Sequence, residues 1–271
     1  MDLGTIADVV IPRMRSDVPP GRDDSAVIAG GTWLMSEKQD HLTRLVDITG
    51  LGWPPLVVND AGLTVAATCT IETLATASVE RDWPATGLFA QCATALLASF
   101  KIWKVATVGG NICLSLPAGA MISLATALDG VATVWADDGS EYTVPVVDMV
   151  TGPHENALRV GDVLRSVRFT AESLSATTAF RKVALSPLGR SATVVIGRRD
   201  TDEQFVVSVT AATRRPYVLR FPGLPSQDEL RGALAGSIPD TAWYDDPHGA
   251  PDWRRHITIG SAAEILEELT C

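Results

Sequence analysis

Cysteine is scarce and widely spaced in this chain. No two of its four cysteines form a C-x-x-C pair in the 271 residues: Cys69, Cys92, Cys113 and Cys271. Zinc ions and iron–sulfur clusters are usually held by closely paired cysteines. The cysteine pattern therefore predicts no metal site, and it is typical of free thiols in a reducing cytoplasm.

The chain also lacks blocks of basic residues and long apolar runs. Its 22 Lys and Arg are outnumbered by 32 Asp and Glu, and the net charge is −10. This balance argues against nucleic acid and anionic membranes as the main partners. No apolar run approaches the roughly 20 residues that span a bilayer, and the opening MDLG does not resemble a basic-then-apolar leader. We therefore expect a cytoplasmic protein with no membrane insertion.

Familiar catalytic and nucleotide-binding motifs are missing as well. The sequence contains no G-x-G-x-x-G after a strand, no G-x-x-x-x-G-K-[ST] and no G-x-S-x-G, which excludes Rossmann, P-loop and α/β-hydrolase sites. His248, Asp252 and His256 are spaced by fours, but Pro251 interrupts the helix that would align them as metal ligands. His154 lies in a loop without an activating partner nearby in sequence. We predict neither a metal site nor a catalytic side chain.

What the chain does contain is apolar material for a core and a regular series of strand and helix patterns. Apolar residues make up 46% of it and charged residues 20%, as in folded proteins. Residues 1–55 are predicted to form a small β-α-β unit whose helix is capped by Thr32. Residues 56–172 combine hairpins with helices and include a β-prone stretch at 105–115. Four strands and two helices are predicted in 173–271, which gives an α+β fold with a small antiparallel sheet at its end.

Two glycine pairs, Gly30-Gly31 and Gly109-Gly110, are the best candidates for chemistry. A diphosphate needs hydrogen-bond donors at close range. Backbone N–H groups serve when no side chain intervenes and when φ can be positive. A helix start at Thr32 would add a hydroxyl donor and the positive end of the helix dipole. Two such loops could hold one dinucleotide between them, although Gly-Gly pairs are also common in ordinary turns.

These segments resemble the FAD-binding subunits of the xanthine dehydrogenase / carbon monoxide dehydrogenase family. Residues 28–34 (IAGGTWL) and 45–48 (LVDI) are similar to that family's aGGt-x-L and l-i-D-i. Residues 102–112 (IWKVATVGGNI) are similar to its qIRNvaTiGGNi, and residues 115–118 (SLPA) follow at the expected distance. The tail at 246–256 is similar to D-x-h-A-s-a-e-Y-R-r-h. Because the motifs occur in order over nearly the whole chain, the resemblance is specific.

The resemblance implies a fold and a set of contacts with FAD. It implies a PCMH-type FAD-binding domain at 1–172, with α/β subdomains at about 1–55 and 56–172, and a C-terminal flavoprotein domain at 173–271. FAD would lie between the two subdomains. The positions assigned to the cofactor are Ile28, Ala29, Gly30, Gly31, Thr32, Trp33, Leu34, Thr107, Gly109, Gly110, Asn111, Leu164 and Lys182.

Three of these positions have specific interpretations. Leu164 would pack near the isoalloxazine ring. Lys182 would lie near the polar edge of the flavin, or it would be a solvated strand residue. Trp33, like Trp103 beside the second glycine pair, would either stack on the cofactor or fill the core.

The chain departs from the family pattern at three places. Ala120 stands where the family has an Asp that can hydrogen-bond the flavin, Trp103-Lys104 replaces Arg-Asn, and Ala66 replaces a Gly. A lost hydrogen bond weakens binding by about 0.5–1.5 kcal/mol. We therefore expect FAD binding that is retained but weaker than is usual in the family.

The resemblance also implies a function and partners. The chain would be the FAD-binding electron-transfer subunit of a molybdenum hydroxylase, working with a large molybdenum-cofactor subunit and a small [2Fe-2S] subunit. Electrons would pass from the clusters to FAD and then to NAD, a quinone or oxygen. A flavin-free scaffold with the same fold is the alternative, and a free-standing flavin oxidase of the vanillyl-alcohol kind is a weaker one.

Overall fold

The chain begins with a small parallel sheet. The computed structural model describes residues 3–270, and the first sheet has the strand order β1-β3-β2. The strands are β1 (Asp8–Val10), β2 (Ser25–Ile28) and β3 (Arg44–Asp47). Short 3-10 turns lie at Arg15–Asp17 and Ile48–Leu51. The C-terminal end of β2 opens into a loop at residues 29–36, which we call the 29–36 loop.

The second unit is built on a five-stranded antiparallel sheet in the order β4-β5-β10-β6-β7. Its strands are β4 (Leu56–Asn59), β5 (Gly62–Ala66), β6 (Val131–Trp135), β7 (Glu141–Pro145) and β10 (Val163–Thr170). An adjoining two-stranded ribbon is formed by β8 (Val150–Gly152) and β9 (Glu155–Asn156). Its helices are α1 (Ile71–Ala75), α2 (Gly87–Ala95), α3 (Phe100–Trp103), α4 (Val108–Leu114), α5 (Ala120–Ala127), α6 (Val146–Met149) and α7 (Ala171–Ser175). A further 3-10 turn lies at Pro84–Thr86.

Helix α5 lies at the centre of this second unit. All eight of its residues, AMISLATA, are buried, because a helix with small or apolar side chains on every side can be surrounded by protein. The hydroxyl groups of Ser123 on α5 and Thr210 are hydrogen-bonded at 2.6 Å. This contact joins the second unit to the third.

The third unit is a four-stranded antiparallel sheet with two helices on one face. Its elements are β11 (Thr177–Val183), β12 (Thr193–Arg199), β13 (Phe205–Thr210), β14 (Tyr217–Phe221), α8 (Gln227–Ser237) and α9 (Pro251–Thr270), with a 3-10 turn at Asp240–Ala242. Along β12, Val194 and Ile196 pack into the core around α5, and Val195 packs into the core beneath α8 and α9. Strand β12, one of the two central strands of this sheet, is therefore buried on both faces.

An ion network crosses between the second and third units. Arg198 on β12 is buried and lies 2.6 Å from Asp129, which follows α5, and 2.7 Å from Asp200. Arg220 on β14 also contacts Asp129. Burial by itself would raise the pKa of Asp129, but the hydrogen bond from Arg220 and the charge of Arg198 outweigh it and hold that pKa below its usual value. The carboxylate of Asp129 therefore stabilises the junction in its ionised form.

The predicted α+β class is confirmed, with the four strands and two closing helices near the positions expected from the sequence. The β-prone assignment of residues 105–115 was wrong, because α4 occupies Val108–Leu114. Thr107 caps this helix by accepting a hydrogen bond from Gly110 N at 3.1 Å, and the cap together with buried packing overrides the strand propensity. Among the described residues, no helix is long and apolar enough to cross a membrane.

Candidate functional site

Both glycine pairs lie beside one open cavity of about 440 Å³, which we call the loop cavity. This volume falls within the range of about 300–1,000 Å³ that is usual for ligand sites. The lining consists of residues 27–34, Ser36, residues 96–98, Ile102, Ala106, Thr107, Gly110, Asn111, Cys113, Leu114 and Leu116. All but three of the positions predicted for the cofactor are therefore on its wall; the exceptions are Gly109, Leu164 and Lys182.

The 29–36 loop forms one side of the cavity, and it is not the helix start predicted from the sequence. Gly31 has a φ of +63°, a left-handed conformation that favours glycine. After it the backbone makes successive turns, in which Met35 N donates to Gly31 O at 2.9 Å and Ser36 N donates to Trp33 O at 2.9 Å. Because no helix forms at Thr32, a helix dipole plays no part on this side of the cavity.

The same loop presents a run of free backbone donors. Within residues 3–270, none of the N–H groups from Gly30 to Leu34 donates a hydrogen bond to another part of the chain. These five consecutive residues all line the loop cavity. Unpaired backbone amides beside a concavity can form an anion site. This run is the main feature of the cavity that suits a diphosphate.

The start of α4 forms the facing side, and its amides are already used. Val108 N donates to Cys69 O at 2.8 Å and Gly109 N donates to Ala67 O at 2.9 Å. Gly110 N is bonded to the Thr107 hydroxyl. The sequence predicted amide donors from both glycine pairs. In the structure the second pair serves mainly to position α4 and to leave these two positions of its first turn without side chains. Both ends of α4 contribute residues to the cavity wall.

Gly109 and Gly110 have different roles. A Cβ on Gly109 would lie 2.5 Å from Ala67 Cβ, so its missing side chain allows α4 to pack on the end of β5. A Cβ on Gly110 would meet only the Thr107 hydroxyl, at 3.0 Å. Because Gly110 lines the cavity and Gly109 does not, Gly110 is the member of the pair whose missing side chain leaves room for a ligand.

Asn111 adds a side-chain donor. Its Oδ1 accepts a hydrogen bond from Met121 N at 2.9 Å, which fixes the side-chain amide between α4 and the first turn of α5. In this orientation the NH₂ group has no partner within the described range and is available to a ligand. Asn111 thus combines a structural contact with a donor at the cavity wall.

Residues Leu96, Leu97 and Ala98, between α2 and α3, form an apolar wall of the cavity together with Ile102 and Leu116. They were not predicted from the sequence. No sequence pattern indicates them, and their place beside the site emerges only from the fold, in which Leu97 is 60% exposed. An apolar wall suits the flat ring systems of a dinucleotide cofactor.

No charged side chain lines the loop cavity in the described part of the chain. The imidazole of His154 lies beside the lining, with its ring centroid 5.5 Å from that of Trp33. Trp33 is 36% exposed and lies on the cavity wall, so it does not fill the core. Trp103, in contrast, packs partly buried against the core. A bound anion must therefore be stabilised by backbone dipoles and neutral donors.

Leu164 and Lys182 lie elsewhere. Leu164 is 3% exposed, pairs with Val134 in the second sheet and belongs to the core around α5. It offers no surface to a ligand in the loop cavity. Lys182 is half-buried on β11, opposite Val194. The contacts of both residues with FAD stay predictions.

FAD is compatible with what the cavity offers. Gly30 approaches Val105 so closely that a Cβ would lie 2.0 Å from its carbonyl oxygen, which brings the two loops together without a side chain between them. Free amides, the Asn111 NH₂ group and an apolar wall provide the donors and surfaces that a diphosphate with two ring systems needs. Among the described residues, no group of His, Cys, Asp or Glu is placed to hold a metal ion.

The family model for the FAD-binding domain in molybdopterin dehydrogenase matches residues 14–170. No curated protein matches the chain. Among solved structures, quinoline 2-oxidoreductase from Pseudomonas putida 86 is 16% identical with a TM-score of 0.79, covering 99% of this chain and 98% of that chain. Carbon monoxide dehydrogenase from Hydrogenophaga pseudoflava is 16% identical with a TM-score of 0.79, covering 97% and 96%.

A third solved structure, carbon monoxide dehydrogenase from Oligotropha carboxidovorans, is 17% identical with a TM-score of 0.79, covering 98% of each chain. These three likenesses show a shared fold over almost the full length. The family match covers more than half of the chain and includes both glycine pairs. This chain therefore belongs to the family of FAD-binding domains of molybdopterin dehydrogenases, which are oxidoreductases, and its cofactor is FAD.

Proposed function

We propose that the chain is an electron-transfer subunit, which receives electrons from iron–sulfur clusters on a partner chain and passes them to an external acceptor. Bound FAD supplies the ability to exchange electrons singly or in pairs. The chain's own residues hold and orient the cofactor, and no side chain needs to act as an acid or a base. The observation that carries this proposal is the run of unpaired amides from Gly30 to Leu34 on a cavity without charged side chains.

The proposed contacts follow from the chemistry of the wall. The amides of Gly30 to Leu34 and the NH₂ group of Asn111 would hold the diphosphate, which is rich in acceptors. The apolar wall at Leu96–Ala98 would contact a ring system and exclude water from it. The open surface at Gly110 would allow the cofactor to approach the start of α4.

The proposed partners are a large molybdenum-cofactor subunit and a small [2Fe-2S] subunit in the cytoplasm. The solved relatives named above include a carbon monoxide dehydrogenase that lacks the molybdenum–pyranopterin moiety of its molybdenum cofactor, which supports a molybdenum enzyme as the assembly. We also propose the division into a domain at 1–172 and a domain at 173–271. Copurification of tagged chain with a molybdenum-containing and a cluster-containing polypeptide tests the assembly.

A flavin-free scaffold is the second candidate. It is favoured by Ala120, which is buried at the start of α5 and has no group to hydrogen-bond a flavin, where the family pattern has an Asp. Uptake of FAD decides between the two. The electron-transfer proposal expects absorption near the flavin bands, roughly 370 and 450 nm, with fluorescence quenched on binding and electrons accepted from a reduced cluster protein. Colourless protein that leaves added FAD fluorescent would favour the scaffold.

A further inference from the structure

His154 connects the two loops that bound the cavity. Its ring lies against the indole of Trp33 in the 29–36 loop, with ring centroids 5.5 Å apart and planes tilted by 42°. Its backbone N–H donates to Ser115 O at 3.0 Å. Ser115 is the buried C-cap residue of α4, the helix that begins at the second glycine pair. One residue therefore contacts both sides of the site, by its side chain on one and by its backbone on the other.

The segment that carries His154 is fixed to α4. It lies in the turn of the β8–β9 ribbon, and Asn156 in that ribbon donates from Nδ2 to Cys113 O at 2.8 Å. The Ser115 hydroxyl donates to Ile112 O at 3.1 Å, which closes the end of α4. The ribbon is thus attached to the end of α4 by two hydrogen bonds, one from His154 N and one from Asn156 Nδ2. The 29–36 loop, which has no regular structure, is the more adaptable partner of the contact.

The backbone of His154 is in a conformation that a histidine adopts at some cost. Its φ is +61°, in the left-handed region where glycine is preferred. The backbone alone would therefore favour glycine at this position. The contact that the imidazole makes is with Trp33, which lies within the run of free amides from Gly30 to Leu34.

We propose that His154 is a positioning residue for FAD, which holds Trp33 and the amides of the 29–36 loop in the arrangement that binds the cofactor. This inference rests on the proposed function of the loop cavity. At the close approach of Gly30 and Val105 the loops meet by backbone, and His154 with Trp33 is a second meeting point, made by rings. Fixing a loop before the ligand arrives lowers the entropy lost on binding, and the gain falls mainly on the dissociation rate.

Two variants of the full chain separate the ring from the backbone. His154→Gly removes the ring and relieves the left-handed strain, and His154→Phe keeps an aromatic ring at the same φ. We expect His154→Gly to raise the Kd for FAD about three- to tenfold, mostly through faster dissociation, while the thermal midpoint of the FAD-free chain does not fall. His154→Phe is expected to stay within about twofold of wild type. Fluorescence titration and stopped-flow displacement of FAD measure these effects.

The outcomes separate this inference from the function on which it rests. An unchanged Kd in His154→Gly, or an equal loss in both variants, overturns the role of the ring. Hydrogen exchange of residues 29–36 in the FAD-free chain gives a second readout, expected to become faster in His154→Gly and to stay slow in His154→Phe. If wild type left FAD unbound, the proposed function would fail, while the exchange rates would still decide whether His154 holds the loop.

Discussion

Gly30 packs so tightly against Val105 that a Cβ on Gly30 would lie 2.0 Å from the Val105 carbonyl oxygen. This contact sets the distance between the 29–36 loop and the segment leading into α4. From the sequence, the role expected of this glycine was to let a phosphate approach the backbone N–H groups. The structure adds a steric reason, because two backbones meet where any side chain would separate them.

Gly30→Ala should therefore disrupt the site itself. The added methyl group must push the 29–36 loop away from Val105, so we expect a loss of about 1–3 kcal/mol in the free energy of unfolding and loss of FAD uptake. Gly232→Ala is the matched control, because a Cβ there meets open space on α8; it should stabilise the chain by about 0.5–1 kcal/mol. Urea unfolding and FAD titration measure both, and retained FAD affinity in Gly30→Ala would contradict the steric reading.

Gly110→Leu should abolish FAD uptake and leave the fold intact. The new side chain would enter the loop cavity, since only the Thr107 hydroxyl lies near its Cβ. Gly109→Ala should behave in the opposite way and lose about 1–3 kcal/mol of stability, because its Cβ would lie 2.5 Å from Ala67 Cβ. Circular dichroism with fluorescence titration distinguishes the two variants. Normal uptake by Gly110→Leu would remove the α4 start from the binding site.

Cys113 offers a test of occupancy without mutation. It lines the loop cavity, and burial raises the pKa of its thiol to about 12. Only about one thiol in ten thousand is ionised at pH 8 with such a pKa, so alkylation should be slow and should speed up about tenfold per pH unit below 12. Bound FAD should slow it further. Peptide mass spectrometry follows Cys113, with core residue Cys69 as the control that FAD does not affect; equal rates with and without FAD would place the cofactor elsewhere.

Asp129 should contribute stability that disappears in acid. Its folded pKa is held below the ordinary value, so the contribution is complete above the unfolded pKa of about 3.9 and is lost as pH falls through the lower folded pKa. Asp129→Asn, which tolerates the φ of +52°, should lower stability at pH 7 by about 1–3 kcal/mol.

The same substitution should weaken the dependence of stability on pH below about 4. Asp60→Asn is the control, because the Asp60 carboxylate is 95% exposed in its pair with Arg81, and it should change stability by less than about 1 kcal/mol. Thermal unfolding between pH 2 and 7 gives both values. An identical acid slope in wild type and Asp129→Asn would show that the ionised Asp129 does not stabilise the junction.

Much of this fold could be predicted from patterns that act locally. Residues 131–136 and 141–144 alternate on either side of the Asp-Asp-Gly-Ser turn and predict a hairpin, which the structure has as β6–β7. The apolar residues 118–128 predict a helix, and α5 lies there. Residues 105–115 were misread, because Val, Thr and Ile favour strands while the Thr107 cap and the packing of Gly109 on Ala67 act through tertiary contacts.

The site was only partly accessible to the same reasoning. Glycine pairs next to apolar strands indicate close backbone approach, and this located the 29–36 loop and the α4 start. Which pair keeps free amides depends on hydrogen bonds to Cys69 and Ala67, residues some forty positions away in sequence. The contact between Trp33 and His154 joins residues 121 positions apart (154 − 33), and no local pattern indicates it.

The third sheet has one further consequence. On β12, Val194 and Ile196 share a core with α5, and Val195 shares one with α9. Cutting the chain after the flavin-binding motifs would therefore expose apolar core residues on both fragments. Each piece would tend to aggregate. A chimera with a relative would have to take α5 and β12 from the same parent, even where the sequence motifs suggest a junction between them.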